Sequence, residues 1–372
     1  MPISLNLLIF IRMTPNTIQV LSLKNKENFV RYKNLCSLID SSNPFYKIDL
    51  ILNDNLEEDK INYFLFSPGN IPKVIMLFNT RKIKINSNKT SYKDVVSPYG
   101  YSGPLISELT TDKELSSFWV LVDTWYRSNN IITEFIRFSL NNNNRCYSGT
   151  ILPTLKNVQV EVFDEAEQWE RFDKKVRNNY RKAVQNKLTF KLRSNNITDE
   201  ILVNFYDIYH ATMIRKNAEN ELFYSVAYFK NYVLNNPTRC AIAMVYLNDI
   251  PISTEFLLLS NDTIYSYLGG TNSEFFKTRP NDFLKVEVLH WARSNGFKYY
   301  VLGGGRVDND PLYTYKKSFS PKDKDLIFYT GRKILNQKIY NNLVSKRMEE
   351  IENFKELNTT ANTFFPGYRN IQ

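Results

Sequence analysis

Lys298-Tyr-Tyr-Val-Leu-Gly-Gly-Gly305 leads through residues 306–310 into Pro311-Leu-Tyr-Thr-Tyr-Lys-Lys-Ser-Phe319. A β-rich run stops at three consecutive glycines and restarts as a short helix. Glycines reach backbone conformations closed to other residues and let a ligand approach the main chain. Asp310 before Pro311 reads as N-cap and first helical residue, since Asp accepts from the free amides and Pro has none to leave unpaired. Leu312, Tyr315 and Phe319 then share a helical face, which puts Lys316 at its edge and lets it point toward the glycines. Gly303, Gly304, Gly305, Lys316 and Lys317 together outline a site for an anion or a developing oxyanion. A tight turn with solvated lysines is the alternative, and no Gly-Lys-Ser/Thr opens the helix as a P-loop requires.

The chain of 372 residues has room for two domains, and 43% hydrophobic content excludes a disordered chain. A net charge of +10 suits polyanionic partners: tRNA, nucleotide-linked sugars or an anionic membrane surface. Cys36, Cys146 and Cys240 lie far apart without Cys-x-x-Cys spacing, which argues against a disulfide scaffold or a zinc site. With His210 and His290 the only histidines, neither a His-ligated metal nor a Ser-His-Asp hydrolase is supported, and no metal is expected. The apolar run at 2–11 is about ten residues, too short to span a bilayer and without signal-peptide flanks, and reads as a buried first strand. The cytoplasm is the expected compartment, with the inner face of the membrane as a place of contact.

Residues 1–163 alternate short apolar runs (47–52, 63–66, 73–78, 131–138) with polar turns around a helix at 114–129, a mixed α/β domain. A second unit, 164–331, opens on Asp164-x-x-Glu167, a capping-box-like start to one helix with its apolar stripe at Trp169, Phe172, Val176, Tyr180 and Val184. A helix at 199–216, strands at 240–247, 253–259 and 263–268, a helix at 282–294 stopped by Asn295-Gly296, and the strand at 298–302 follow. The tail, 332–372, carries an amphipathic helix over 333–357, expected to pack on the body; membrane or partner binding through its basic half is the lesser reading.

Positive charge is densest between 166 and 193, where nine Lys or Arg face three acids. Arg177 and Arg181, one turn apart, suit a two-forked clamp on phosphate oxygens, against a plain solvated face. Arg215 closes the next helix, where a cation also suits the helix dipole. Ser97-Pro-Tyr-Gly-Tyr-Ser-Gly-Pro-Leu105 presents Tyr99 and Tyr101 on a punctuated loop fit for a sugar ring or a base, or forms a simple turn cluster.

The order of these motifs resembles the FemAB-like peptidyltransferases and their relatives in the GNAT-type N-acyltransferase superfamily. It is carried by the 97–105 loop, Phe135-Ile-Arg-Phe138, Arg177-Asn-Asn-Tyr-Arg-Lys-Ala183, residues 206–215, and Gly303-Gly-Gly with Tyr315-Lys-Lys-Ser-Phe319, over roughly residues 40–330. The resemblance implies an α/β fold of two tandem GNAT-like domains with mixed, largely antiparallel sheets flanked by helices. It also implies that Lys316 falls near the donor ester and that Arg215 and Tyr267 line the donor or acceptor channel. Fem-type enzymes move an amino acid from aminoacyl-tRNA to an amine of a peptidoglycan precursor, and cousins acylate amino sugars from acyl-CoA.

The donor stays open between acyl-CoA and aminoacyl-tRNA: no inserted coiled-coil arm interrupts 184–300, and residues 278–282, where a CoA cradle would lie, contain no glycine. Acyl transfer to an amine needs a proton acceptor and an oxyanion donor. Lys316 with the amides near Gly304 and Gly305 is expected to be the oxyanion donor; Asp308 and Glu255 are the candidate bases. The expected function is amide formation on an amine-bearing cell-wall peptide or surface-glycan precursor, with an anionic glycan or lipid-linked precursor as partner. The alternatives are an acetyl-CoA-dependent N-acetyltransferase of a nucleotide-linked amino sugar and a non-catalytic basic RNA-binding protein.

Overall fold

The computed structural model describes residues 18–40, 42–52, 61–85, 88–352 and 364–370. The apolar run at 2–11 lies outside them. The chain forms two compact units, one of residues 1–41, 57–153 and 329–372, the other of residues 42–56 and 154–328. This differs from the boundaries expected at 163 and 331. The change of unit near 154 falls inside a strand, residues 42–56 belong with the second unit, and the tail belongs with the first.

In chain order the elements are β1 (Ile18–Ser22), α1 (Lys26–Asp40), α2 (Ile48–Ile51), β2 (Ile61–Phe66), β3 (Val74–Ile85), β4 (Asn88–Val96), β5 (Pro104–Ile106), α3 (Asp112–Ser128), β6 (Ile131–Arg137) and β7 (Thr150–Glu161). They continue with α4 (Glu165–Arg171), α5 (Lys174–Gln185), β8 (Thr189–Arg193), α6 (Asp199–Arg215), α7 (Val226–Asn235), β9 (Cys240–Leu247), β10 (Ile250–Leu259) and β11 (Thr263–Thr271). Last come α8 (Pro280–Ser294), β12 (Tyr299–Gly303), α9 (Pro311–Lys317), β13 (Leu326–Ile334) and α10 (Gln337–Glu352).

The first unit's sheet runs β1-β2-β3-β4-β6-β13, with β5 on β3 where β4 has not yet begun. Among its described strands only β4 and β6 are parallel, and α3 is the crossover between them, as parallel neighbours require. Thr111 and Glu114 close a reciprocal capping box at the start of α3. Leu115, Phe118, Trp119, Val122 and Tyr126 then bury its inner face against Phe64, Phe66, Met76, Phe78 and Val95 of the sheet. On α10, Leu343 with Ile339, Tyr340 and Val344 packs with Ile83, Ile85, Ile132 and Tyr368, so the tail helix docks on its own unit as expected.

The second unit repeats this order as β8-β9-β10-β11-β12-β7, again with one parallel pair, β11 and β12, and a crossover helix, α8. Each sheet takes its sixth strand from another part of the chain: β13 serves the first unit and β7 the second. One face of the second sheet packs with α5 and α8 through Phe172, Val176, Leu257, Phe283, Leu284, Val288 and Tyr300. On the other face, Phe256 meets Phe205 of α6 and Phe229 and Tyr232 of α7 at 5.3–6.0 Å between ring centres.

Three local expectations change. Residues 47–52 are not a strand: Asn43 caps a 3-10 turn at Pro44–Tyr46, and α2 follows it. The helix opening the second unit is two helices, because Asp173 turns its carboxylate onto the amide of Lys175 and starts α5 afresh. Asp164 caps α4 through the amide of Glu167, but Gln168, not Glu167, reaches back, accepting from the amide of Phe163.

Candidate active site

Strands β11 and β12 are paired in parallel only from Thr263 and Tyr299 to Tyr265 and Val301. Beyond that point β11 continues along β10 to Thr271, while β12 ends at Gly303. Where parallel strands part, their facing amides and carbonyls lose each other as partners and need others. The three glycines open there.

Gly303 has φ of +79°, a conformation that costs glycine nothing and a Cβ-bearing residue much. The other two answer to close approach: a Cβ on Gly304 would lie 2.7 Å from the carbonyl oxygen of Lys156, and one on Gly305 would lie 2.0 Å from the Asp310 carboxylate. Asp310 accepts from the amides of Tyr313 and Arg306, both at 2.7 Å, so it caps α9 and ties the glycine turn to it. Those amides, Tyr313 first, hold its carboxyl below the usual carboxylate value.

From α9, Lys316 donates its Nζ to the carbonyl of Gly304 at 2.7 Å, as its helical position predicts. Burial, and next the like charge of Lys285, push its ammonium down to about 8 against the opposing pull of Glu255 and Asp310. The buried face of α9 differs in one residue from expectation: Tyr313 is buried and Leu312 is exposed.

Lys285 belongs to a polar cluster that the sequence reading missed. Glu255 (β10), Lys285 (α8) and Tyr300 (β12) are 4%, 6% and 0% exposed. Lys285 Nζ donates to Ser266 Oγ of β11 at 3.1 Å, to the Tyr300 hydroxyl at 3.2 Å, and to Glu255 Oε1. Tyr300 donates to Glu255 Oε2 and Ser266 to Oε1. Burial, and then the Glu255 charge, push the Tyr300 phenol well up. Both carboxylate oxygens of Glu255 are thus engaged, and accepting a proton there would dissolve a buried ion pair. The signal in the sequence was a lysine inside the apolar run Phe283-Leu-Lys-Val286, which only a buried partner explains.

Other expected site residues have partners within the fold. Asp308 is exposed and accepts from the amide of Lys156 at 2.8 Å. Lys317 pairs with Asp325 at 2.8 Å. Arg177 donates one nitrogen to the carbonyls of Trp169, Glu170 and Phe172 at 2.8–3.2 Å, while Arg181 bonds Asn178 and lies over Trp169, so each has partners in its own stretch of chain. Arg215 donates to the carbonyl of Thr271 and lies over Phe276. Tyr267 shares a 2.9 Å hydrogen bond with Tyr228. In the first unit, Tyr99 is exposed and Tyr101 half-buried on a loop pinned by Ser102, which donates to Ser97, Pro98 and the carbonyl of Arg137. At residues 278–282, Arg279 enters α8 with φ of +64°, and Asp282, buried, accepts from Asn179 at 3.1 Å.

Residues 170–317 match the family model described as acetyltransferase (GNAT) domain, a stretch that holds the glycines, Lys316 and the buried cluster. No curated protein matches the chain in sequence. Among solved structures, FemX is similar at 13% identity over 76% of this chain and 90% of that one, with a TM-score of 0.55. L-PGS from Bacillus licheniformis is similar at 11% identity over 85% of this chain and 96% of that one, also at 0.55. At such identities the likeness is one of fold. Residues 170–317 of the second unit thus carry the sequence pattern of the acetyltransferase (GNAT) domain, and the first unit repeats the strand order of the second.

Proposed function

We propose that the protein transfers an acyl or aminoacyl group to an amine on a cell-wall peptide or surface-glycan precursor. The observation that carries this is Lys316 on the carbonyl of Gly304, beside the point where β11 and β12 part, inside the stretch that matches the GNAT domain. An amine attacking the donor carbonyl creates a tetrahedral oxyanion. Ammonium and main-chain amide donors fixed beforehand stabilise that charge without reorganising. Lys316 supplies the ammonium, with amides around Gly304 and Gly305 as the main-chain donors. The amine proton leaves through water or the departing group, since Glu255 is locked in its ion pair.

Acetyl-CoA as donor, with a nucleotide-linked amino sugar as acceptor, is the second reading, favoured by the acetyltransferase pattern of residues 170–317. Both are tested by incubating the purified protein with acetyl-CoA or with alanyl-tRNA, each with a UDP-linked amino sugar or a muramyl peptide, and weighing the acceptor. A new amide with one donor supports transfer and identifies that donor. Failure of every acceptor to gain mass, with the donors intact, would overturn the proposal.

A further inference from the structure

The hairpin of β3 and β4 sets lysine directly opposite lysine twice: Lys82 faces Lys93, and Lys84 faces Lys89. Like charges opposed across an antiparallel pair destabilise it. Among the described residues no acid pairs with any of the four. Lys82, Lys84 and Lys89 are exposed, while Ile83 and Ile85, which alternate along β3 with two of them, are buried with Leu343 of α10. The tail helix thus spends its apolar residues on the hairpin, and the hairpin keeps its own charge outside.

β2 accompanies β3 only as far as Asn79. Beyond it β3 borders a groove of about 530 Å³ lined by Arg81, Lys82, Lys84, Arg347 and Arg369. Buried Asp94 holds two of these side by side. Its Oδ1 accepts from Arg81 Nε at 2.9 Å and from Arg369 Nη2 at 3.1 Å, and Tyr368 donates to its Oδ2 at 3.2 Å. Arg347 pairs with Glu350. Five cations therefore meet two carboxylates, both already engaged, and the groove keeps a surplus of three positive charges. Guanidinium groups fixed by a buried carboxylate are pre-organised for a second anion, because little further ordering is needed when it binds. The same groove has an apolar part in Ile83 and in Phe364, which is 52% exposed.

Surplus charge beside an apolar lining fits an amphiphile. RNA is recognised through base edges and 2′-hydroxyls, which call for acceptors as well as donors, and both carboxylates here are taken. A bilayer asks only for cations facing a plane of phosphates and an aromatic side chain at the interface. We infer that this part of the first unit docks on the surface of an anionic bilayer. One lipid phosphodiester lies between Arg81 and Arg369, the hairpin lysines lie over neighbouring headgroups, and Phe364 enters the acyl boundary. Asp94 is a positioning residue. The inference moves the membrane contact considered for the tail helix to the hairpin which that helix covers, and it needs no turnover to be detected.

The test is flotation of the full chain with phosphatidylcholine vesicles, with and without phosphatidylglycerol, at low and high salt. The protein should float with the anionic vesicles only, and less at high salt. A chain of net charge +10 has some affinity for any anionic surface, so the deciding comparison holds charge constant. Lys82→Gln with Lys84→Gln is set against Lys322→Gln with Lys324→Gln, four exposed positions at the same spacing. The first pair should weaken binding about tenfold to thirtyfold, and the second less than about twofold. Because the first pair relieves two like-charged contacts, its urea midpoint should not fall. Phe364→Ala should weaken binding about tenfold at either salt. Absence of flotation overturns the inference, as do equal losses in the two lysine pairs, or tRNA binding that falls with Lys82 and Lys84 while vesicles are ignored. Failure of the transfer assay would leave these results unaffected.

Discussion

Lys316 Nζ and the carbonyl oxygen of Gly304 stand 2.7 Å apart, so a residue in the last turn of α9 reaches back to the turn that precedes the helix. The bond takes one of the three ammonium protons and aims the group at the glycines, leaving two donors for another oxygen. Replacing Lys316 by Met should therefore cut transfer about tenfold to a thousandfold, the cost of one oxyanion donor. Since the ammonium titrates at about 8, kcat for an acceptor amine held at saturation should fall as pH rises through that value. A rise there instead would make Lys316 the proton acceptor.

The same substitution should stabilise the fold. Below about pH 8 Lys316 is protonated in both states, and the folded protein bears the full cost of its desolvated charge. Between about 8 and the ordinary lysine value the unfolded chain binds a proton that the folded one lacks, so stability rises with pH. Lys316→Met removes that slope. Its advantage over the wild type in urea should be on the order of 2 to 3 kcal/mol at pH 7 and shrink toward pH 10. An unchanged difference across that range would show that the group is not desolvated.

Much of this was legible in residues 298–319, where local rules agree: glycines at a strand end, Asp before Pro as a cap, and a lysine on the helical edge nearest the turn. Strands at 240–247 and 131–138 and the helix expected at 114–129 and found at Asp112–Ser128 were legible for the same reason, their periodicity and caps pointing one way. Longer-range facts were not. Nothing local says that residues 42–56 join the second unit, where Tyr228 donates to the carbonyl of Leu50, or that β13 completes the first sheet and β7 the second. Charge density alone decides less. Arg177 looked like a phosphate ligand because its helix face is basic, but the break at Phe172 leaves carbonyls that need a donor, and those became its partners.

That assignment makes Arg177→Ala a stability variant. Removing a charged donor from three carbonyls at the end of α4 should cost about 1 to 3 kcal/mol, read as a lower urea midpoint. Affinity for the acyl donor should stay within about twofold of wild type. A large loss of donor affinity at unchanged stability would restore the clamp.

At Gly305 an added methyl would meet the Asp310 carboxylate at 2.0 Å. Gly305→Ala should therefore displace the cap and cost about 1 to 2 kcal/mol, while Asp310→Ala should cost about 1 kcal/mol by itself. If the glycine acts through the cap, the double variant should lose less than the sum of the two. Additive losses in urea would mean that Gly305 is needed for something other than Asp310.

The pair Glu255 and Lys285 lies under the site with both charges buried, and its members depend on each other. Lys285→Met strands a carboxylate among Tyr300, Ser266 and apolar neighbours, and Glu255→Gln leaves an ammonium with two hydroxyls and an amide. Breaking a buried pair from one side costs about 3 to 5 kcal/mol, so each single variant should be severely destabilised. Combining Glu255→Gln with Lys285→Met removes both charges at similar volume and should recover most of the loss. The double variant also separates structure from chemistry: if the cluster only holds β10, β11, β12 and α8 together, a refolded double variant should transfer at nearly the wild-type rate. A stable double variant that had lost transfer would place the cluster in the reaction, acting on Lys316 through the charge of Lys285.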